Sequence, residues 1–287
     1  MPNLEGVDVS HHEGAIGWDK VKDAGIAFAI LKATEGKSFV DPRAEKNLAR
    51  CREVGIVAGM YHFYRHDVDP AAQAKHFLAN LGAREPGDLL PAIDVEAPGD
   101  GGGPITYPRS EVVARVKVVV DAVEAAIGRA PMIYTYPSAW KELTDNSTAF
   151  AGRCPLWIAS YGGATPKLVG GWTKYTVWQY TDQGTVNGIG GGVDRDRFNG
   201  GAAELAAVRI GTLTQGALTK GGKAVFNQDG RVRVAAGVNS DEVGVLRGGT
   251  QVAITDGPQL VDGRDWWKID NGAGTAGWSS SKVLSPA

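Results

Sequence analysis

Short, continuously apolar runs recur through the first 200 residues, each bounded by Gly, Pro or charge. They are 4–9 (LEGVDV), 26–33 (IAFAILKA), 56–63 (IVAGMYHF), 89–95 (LLPAIDV), 131–136 (PMIYTY), 155–161 (PLWIASY), 175–180 (YTVWQY) and about 191–194. Runs that do not alternate with polar residues suit strands covered on both faces, as in a parallel sheet. Helical patterns lie between the early ones, at 18–24 (WDKVKDA), 42–54, 70–81 and 108–127. The third opens on Pro70, a first-turn residue, and the fourth carries an apolar stripe at 112, 113, 116, 119, 120, 123 and 127. Strand alternating with helix predicts an α/β fold, and eight strand candidates predict a closed, TIM-like β/α barrel. The later strands are joined by short, helix-poor segments, so the barrel is expected to be irregular, with about five helices.

The texture changes near residue 210. Residues 211–223 (GTLTQGALTKGGK) are small and polar without a usable period, and read as a linker or a loosely packed strand. Beyond them, short β-type runs at 231–235, 243–246, 250–255, 266–269 and 275–278 are separated by turn residues, the pattern of a small all-β barrel. The predicted organisation is a barrel domain at 1–210, a linker at 211–227 and an all-β domain at 228–287.

Composition narrows the function classes. Of 287 residues, 43% are hydrophobic and 22% charged, which is ordinary globular usage and excludes wholesale disorder. The 30 Lys and Arg against 32 Asp and Glu give a net charge of −2 without blocks of like sign, which argues against a nucleic-acid partner. No apolar run is long enough to span a bilayer, so no membrane insertion is expected. The first ten residues, MPNLEGVDVS, have neither a basic nor an apolar segment of the kind a signal peptide needs. Cys51 and Cys154 are expected to be free thiols. The glycines at 188–192 do not complete a dinucleotide fingerprint, because Val193 follows them, and no cofactor is expected.

Acid at strand ends is the strongest chemical signal. Asp94 and Glu96 close the run LLPAIDVE two residues apart, on one face of the chain. Asp8 ends the first run and Asp194 the last, and the first and last strands of a closed barrel are neighbours. All four acids therefore fall at the carboxyl-terminal strand ends, where barrel active sites form. Crowded carboxylates push each other's pKa values apart, which suits acid-catalysed glycoside cleavage; the same cluster could instead hold a divalent cation. His11 and His12 beside Asp8 read as loop residues that support the site by hydrogen bonds. Aromatic residues are the second signal: Tyr61, Tyr134, Trp157, Tyr161 and Trp178 lie at or near strand ends, where they could stack on sugar rings, and Gln179 is a polar anchor.

The segments GVDVSHHEG at 6–14, AILKATEG at 29–36, GMYHF at 59–63, PAIDVE at 91–96, IYTYPSAW at 133–140, PLWIASY at 155–161 and VWQYTDQGTVNGIGGGVDRDRF at 177–198 resemble the glycoside hydrolase family 25 lysozymes. The resemblance covers nearly all of residues 4–208. It implies an N-acetylmuramidase that cuts the β-1,4 bond between N-acetylmuramic acid and N-acetylglucosamine, on a modified barrel with five helices and three closing strands. It also implies that Glu96 is the general acid/base, that Asp94 is its partner, and that Asp8 and Asp194 complete the site. Asp196 departs from the family pattern, where Asn is more usual, and adds a carboxylate on the same strand face. Residues 228–284 resemble a bacterial SH3-like cell-wall-binding domain, with Val234-Ala235-Ala236-Gly237 in place of the usual turn after its first strand. Bacterial peptidoglycan is thus the implied partner of both parts. A lysozyme joined to a wall-binding module and lacking a signal peptide resembles a phage endolysin, made in the host cytoplasm and acting at the wall after release.

Three other readings compete: a glycosidase acting on another N-acetylhexosamine polymer, a metal-dependent hydrolase built on the carboxylates, and a wall-binding protein without catalysis. An intact acid set argues against the last, since a binder has no need of Glu96.

Overall fold

The computed structural model describes residues 3–81, 85, 87–210, 218, 220–261 and 264–286. The chain divides into two compact units, Met1–Gly211 and Thr212–Ala287.

In the first unit, the apolar runs become strands β1 (Leu4–Val9), β2 (Phe28–Glu35), β3 (Phe39–Val40), β4 (Val57–Phe63), β5 (Ala92–Asp94), β6 (Met132–Thr135), β7 (Leu156–Ala159), β8 (Val177–Gly184) and β9 (Val193–Phe198). Their central residues are buried on both faces, which is why the runs are apolar without alternation. β3 only folds back on β2 as a hairpin. The other eight close a ring in the order β1-β2-β4-β5-β6-β7-β8-β9. Neighbours from β1 to β8 run parallel, and β9 runs antiparallel to both β8 and β1.

Five helices cover the parallel part: α1 (Trp18–Asp23), α2 (Ala44–Val54), α3 (Pro70–Ala79), α4 (Val112–Ile127) and α5 (Pro137–Thr144), and α6 (Ala202–Ala207) follows the ring. The α4 stripe buries Val112, Val116, Val119, Val120, Val123 and Ile127, at about 1.5–3 kcal/mol of transfer energy per side chain. Gly128 stops this helix in the left-handed region, at φ 74°. Asp69 starts α3: its carboxylate accepts from the Ala72 amide at 2.8 Å, with Pro70 behind it.

Three sequence expectations change. The run at 89–95 forms a strand only at Ala92–Asp94, because Leu89 pairs instead in an isolated bridge with Arg209. The helix α5 was not anticipated in the motif IYTYPSAW, although Pro137 at its first turn marks the start. The last strand is 193–198 rather than 191–194, and because it runs antiparallel, Asp194 lies at its beginning and not at its carboxyl-terminal end. A reversed strand presents its start where its neighbours present their ends, so Asp194 still reaches the same rim.

The second unit is a separate antiparallel sheet. Its strands are β10 (Lys223–Phe226), β11 (Gly230–Arg233), β12 (Glu242–Leu246), β13 (Gln251–Val261), β14 (Arg264–Asp270), β15 (Ala276–Ser280) and β16 (Leu284–Pro286), ordered β12-β11-β15-β14-β13-β10-β16. Its core holds Phe226, Val232, Val252, Ile254, Trp267, Ile269 and Leu284. β10 lies within the stretch 211–227 expected to be linker: Ala224 and Phe226 are buried there, and the strand pairs with β13 and β16. Residues 211–217 and 219 lie outside the described residues.

The barrel interior has little slack at its lower end. Gly6 on β1 pairs in register with Phe28 on β2, and a Cβ at position 6 would lie 2.3 Å from that ring. Phe198 stands edge-on to the same ring at 6.1 Å. Gly6→Ala should therefore destabilise the barrel by about 1–3 kcal/mol, as overpacking of a filled core does. Denaturant unfolding of this variant measures the loss, and an unchanged midpoint would contradict the packing described.

Candidate active site

Strand alternation and register assemble the site. Asp8 on β1 is paired directly with Asp194 on β9, and Asp196 is one repeat deeper on the same face, paired with Gln179 of β8. On the other side of the ring, Asp94 is the last residue of β5, and Glu96 follows it at the rim. The carboxylates expected to meet thus line one mouth of the barrel.

The mouth opens into a cleft of about 680 Å³ lined by Glu96, Tyr134, Tyr136, Tyr161, Gln179 and Asp194, with Asp100, Lys167 and Asp182 at its edges. Gln179 organises the floor. Its amide oxygen accepts from the Tyr134 hydroxyl at 3.0 Å and the Tyr161 hydroxyl at 2.6 Å, and its Nε2 donates to Asp8 at 2.9 Å. Tyr161 is 51% exposed and offers an open face to a ligand, whereas Tyr134 is almost covered. Tyr61 is buried among the acids, and its edge meets Trp157 at 5.9 Å.

Three of the anticipated ligand-binding aromatics do not line the cleft; Tyr61, beneath the acids, is the first. Trp157 lies inside the barrel, packed against Tyr134 at 4.4 Å, and its indole N–H donates to Asp196 at 2.8 Å. It supports the floor from below. Trp178 neighbours the inward-facing Gln179 in the strand, so the alternation turns it to the opposite face. There its N–H donates to the Ser160 carbonyl at 2.7 Å, and the Arg197 guanidinium lies 5.8 Å from its ring. Conversely, Tyr136 enters the cleft without having been singled out. It is two residues past Tyr134, so the same-face rule could have found it; its hydroxyl donates to Asp100 and accepts from the Ala97 amide at 3.2 Å.

Burial raises the acids. Asp94 is 4% exposed and its Oδ1 has no hydrogen-bond partner. Loss of solvation, with the Glu96 charge next, holds its pKa well above the usual carboxylate range. Glu96 is pushed up to about 7, by desolvation first and by the Asp100 charge second. The cation opposing both shifts is Lys32, whose ammonium lies 4.6 Å from the Phe63 ring centre and pairs with Glu35 at 2.9 Å. On the opposite side, burial and the neighbouring carboxylates raise Asp8, while Asp194 is raised to about 6 and Asp196 to about 7, both chiefly by burial. A carboxyl protonated near neutral pH beside others that ionise is what proton transfer to a leaving oxygen requires.

The loop after β5 is braced from behind. His66 is buried and its Nε2 lies 3.0 Å from the Glu96 carbonyl, while its Nδ1 is 3.3 Å from the Tyr107 hydroxyl. His11 pairs with Asp41 at 2.9 Å, and the His12 amide donates to the Ser10 hydroxyl at 3.1 Å. Both histidines thus have loop partners. Among the described residues, no three His, Cys, Asp or Glu are grouped to hold a metal ion. Cys51 and Cys154 are buried, unpaired thiols.

Known proteins share this barrel. Residues 7–189 match the profile of the glycosyl hydrolases family 25. Lysozyme M1 of Streptomyces globisporus is 36% identical over 214 residues, which are 73% of this chain and 72% of that protein. An N,O-diacetylmuramidase of Chalaropsis is 34% identical over 202 residues, 67% of this chain and 96% of its own. The crystal structure of the bacterial lysozyme from Streptomyces coelicolor superposes with a TM-score of 0.69 at 35% identity, covering 72% of this chain and 97% of its own. With a reversed ninth strand that brings Asp194 beside Asp8 and a rim that carries Glu96, the chain belongs to the family 25 glycosyl hydrolases.

Proposed function

We propose that this glycoside hydrolase is an N-acetylmuramidase. It cleaves the β-1,4 bond between N-acetylmuramic acid and N-acetylglucosamine of bacterial peptidoglycan, with retention of configuration and help from the substrate. The observation that carries the reading is Glu96: a carboxyl at the edge of an aromatic cleft, with a pKa raised to about 7, is poised to protonate a glycosidic oxygen and then to activate water. The names of its relatives, a lysozyme and an N,O-diacetylmuramidase, point to the same bond.

Asp94 is placed beside Glu96 on one strand end rather than across the cleft, which suits a helper better than an opposing nucleophile. The 2-acetamido carbonyl of the muramic residue is tethered to the reacting carbon and attacks it with the entropy advantage of an intramolecular group. Asp94 then orients the acetamide through its unpartnered Oδ1 and stabilises the charge that develops on it. Asp8 and Asp194 shape the field from the facing wall. Tyr134, Tyr136 and Tyr161 hold sugar rings, with Gln179 fixing two of their hydroxyls.

The second unit is read as an SH3-like module that binds the cell wall, and the whole chain as a phage endolysin released to the wall from the host cytoplasm. Support for the module comes from the small antiparallel sheet with its own core and from the sequence resemblance of residues 228–284.

Glu96→Gln should lose several orders of magnitude in turnover with little change in binding, and Asp94→Asn about 10²–10³-fold. Proton NMR of the first-formed reducing end decides the stereochemistry: an initial β anomer fits retention, and an initial α anomer rules out the acetamide mechanism. The pH profile has a definite sign. The acid must carry its proton, so kcat/KM should fall as pH rises through about 7, and Glu96→Asp should displace that limb. For the second unit, a protein ending at residue 210 should keep its activity on soluble wall fragments and lose attachment to intact cells, because linkage raises the effective concentration at the wall. Equal binding and lysis by the truncated protein would give the module another role.

A further inference from the structure

Asp196 is the least accessible acid of the barrel, at 0% exposure, and the Trp157 indole N–H fixes its Oδ1 at 2.8 Å. Its Oδ2 has no donor from any ordinary hydrogen-bonding group. Asp8 is the acid that faces it: Asp8 stands opposite Asp194 in the β1–β9 pairing and Asp196 lies one repeat below on the same face, so the three carboxyls meet at this seam and Asp8 is placed to bond to either neighbour. Two carboxyl groups can bond only through a proton. Because Gln179 already donates to Asp8 Oδ2, an acidic hydrogen on Asp8 sits on Oδ1 and meets two competing acceptors, Asp196 below and Asp194 in the cleft. The remaining charge that acts on Asp196 is Glu5, and Gln179 is its in-register neighbour on β8.

We propose that Asp196 is a positioning residue for the hydrolysis: anchored by Trp157, it accepts the acidic O–H of Asp8 in place of Asp194, and so leaves the Asp194 carboxylate free to act on the sugar. The proposal rests on the reading of this cleft as the hydrolytic site. It also gives a partner to an oxygen that otherwise has none, since a buried carboxylate is costly unless both of its oxygens accept. The proton shared by the three acids lets Asp194 ionise at a pH where Asp8 remains neutral, as coupled carboxyls do.

The test uses the full chain and Asp196→Asn. The asparagine oxygen still accepts from Trp157, but its amide donates to Asp8, so the direction of that bond reverses. The three-acid cluster becomes a two-acid pair, and its first ionisation moves down. The acid limb of kcat/KM should shift to lower pH by on the order of one unit, and kcat should fall about tenfold with KM little changed. The alkaline limb, set by Glu96, should stay where it is. An acid limb that stays in place or moves up overturns the proposal, since filling the core alone would not displace it. If the wild-type chain shows no activity on peptidoglycan, the functional reading fails instead, and a second measurement still judges Asp196. The Hε1 proton of Trp157 in the unmodified protein reports on its acceptor by NMR. Its shift should move a second time above pH 5, when the proton that Asp8 shares with Asp196 leaves; a single step below pH 5 would mean that no shared proton remains, and overturns the proposal even if the variant does not fold.

Discussion

Closure of the barrel by an antiparallel strand is the constraint on which the site depends. β9 hydrogen-bonds to β8 on one edge and β1 on the other, and its reversed direction brings its first residues to the rim where every other strand ends. Only in that arrangement does Asp194 stand opposite Asp8, with Asp196 one repeat below. A parallel ninth strand would send both acids to the far end of the barrel, away from Glu96. The same closure pairs β9 along both of its edges, so the strand that carries Asp194 and Asp196 is not an edge strand.

The cluster works against the fold that holds it. Each acid of the mouth has its pKa raised by burial, so each prefers to be neutral inside and charged outside. The rigid interior beneath them offsets this. Trp157 touches both Tyr61 and Tyr134, and Phe28 occupies the space that Gly6 leaves empty. Gln179 couples the two halves, since it accepts from two cleft tyrosines and donates to Asp8. Acid-catalysed glycoside cleavage needs a carboxyl that is protonated at neutral pH, and here withheld solvation is the main cause of that state. The instability of the mouth and its chemistry have one physical origin.

Much of this was legible in the chain. Continuous apolar runs announce strands covered on both faces, and the stripe from Val112 to Ile127 announces the face that α4 buries. The spacing of Asp94 and Glu96 places both at one strand end by alternation alone, and the motifs from residue 6 to residue 198 carry the family. These features are local, set by a period of two or 3.6 residues, and a sequence displays them directly.

What alternation could not settle was direction and depth. Nothing in VDRDRF says that its strand runs backwards, so Asp194 was placed at the wrong end of it. Nothing in VWQY says which of Trp178 and Gln179 looks inward; the pairing of Gln179 with Asp196 decides that, and it turns Trp178 to the opposite face of the sheet, where it is buried beside Arg197. Trp157 reads like a sugar platform, yet it lies too deep to meet a sugar and instead holds Asp196. Sequence by itself determined the elements, the family and the four rim acids, because these follow from local pattern. The tertiary structure alone decided which acid faces which and which aromatic meets the cleft, because register and strand direction are fixed by contacts between residues as far apart as 8 and 194.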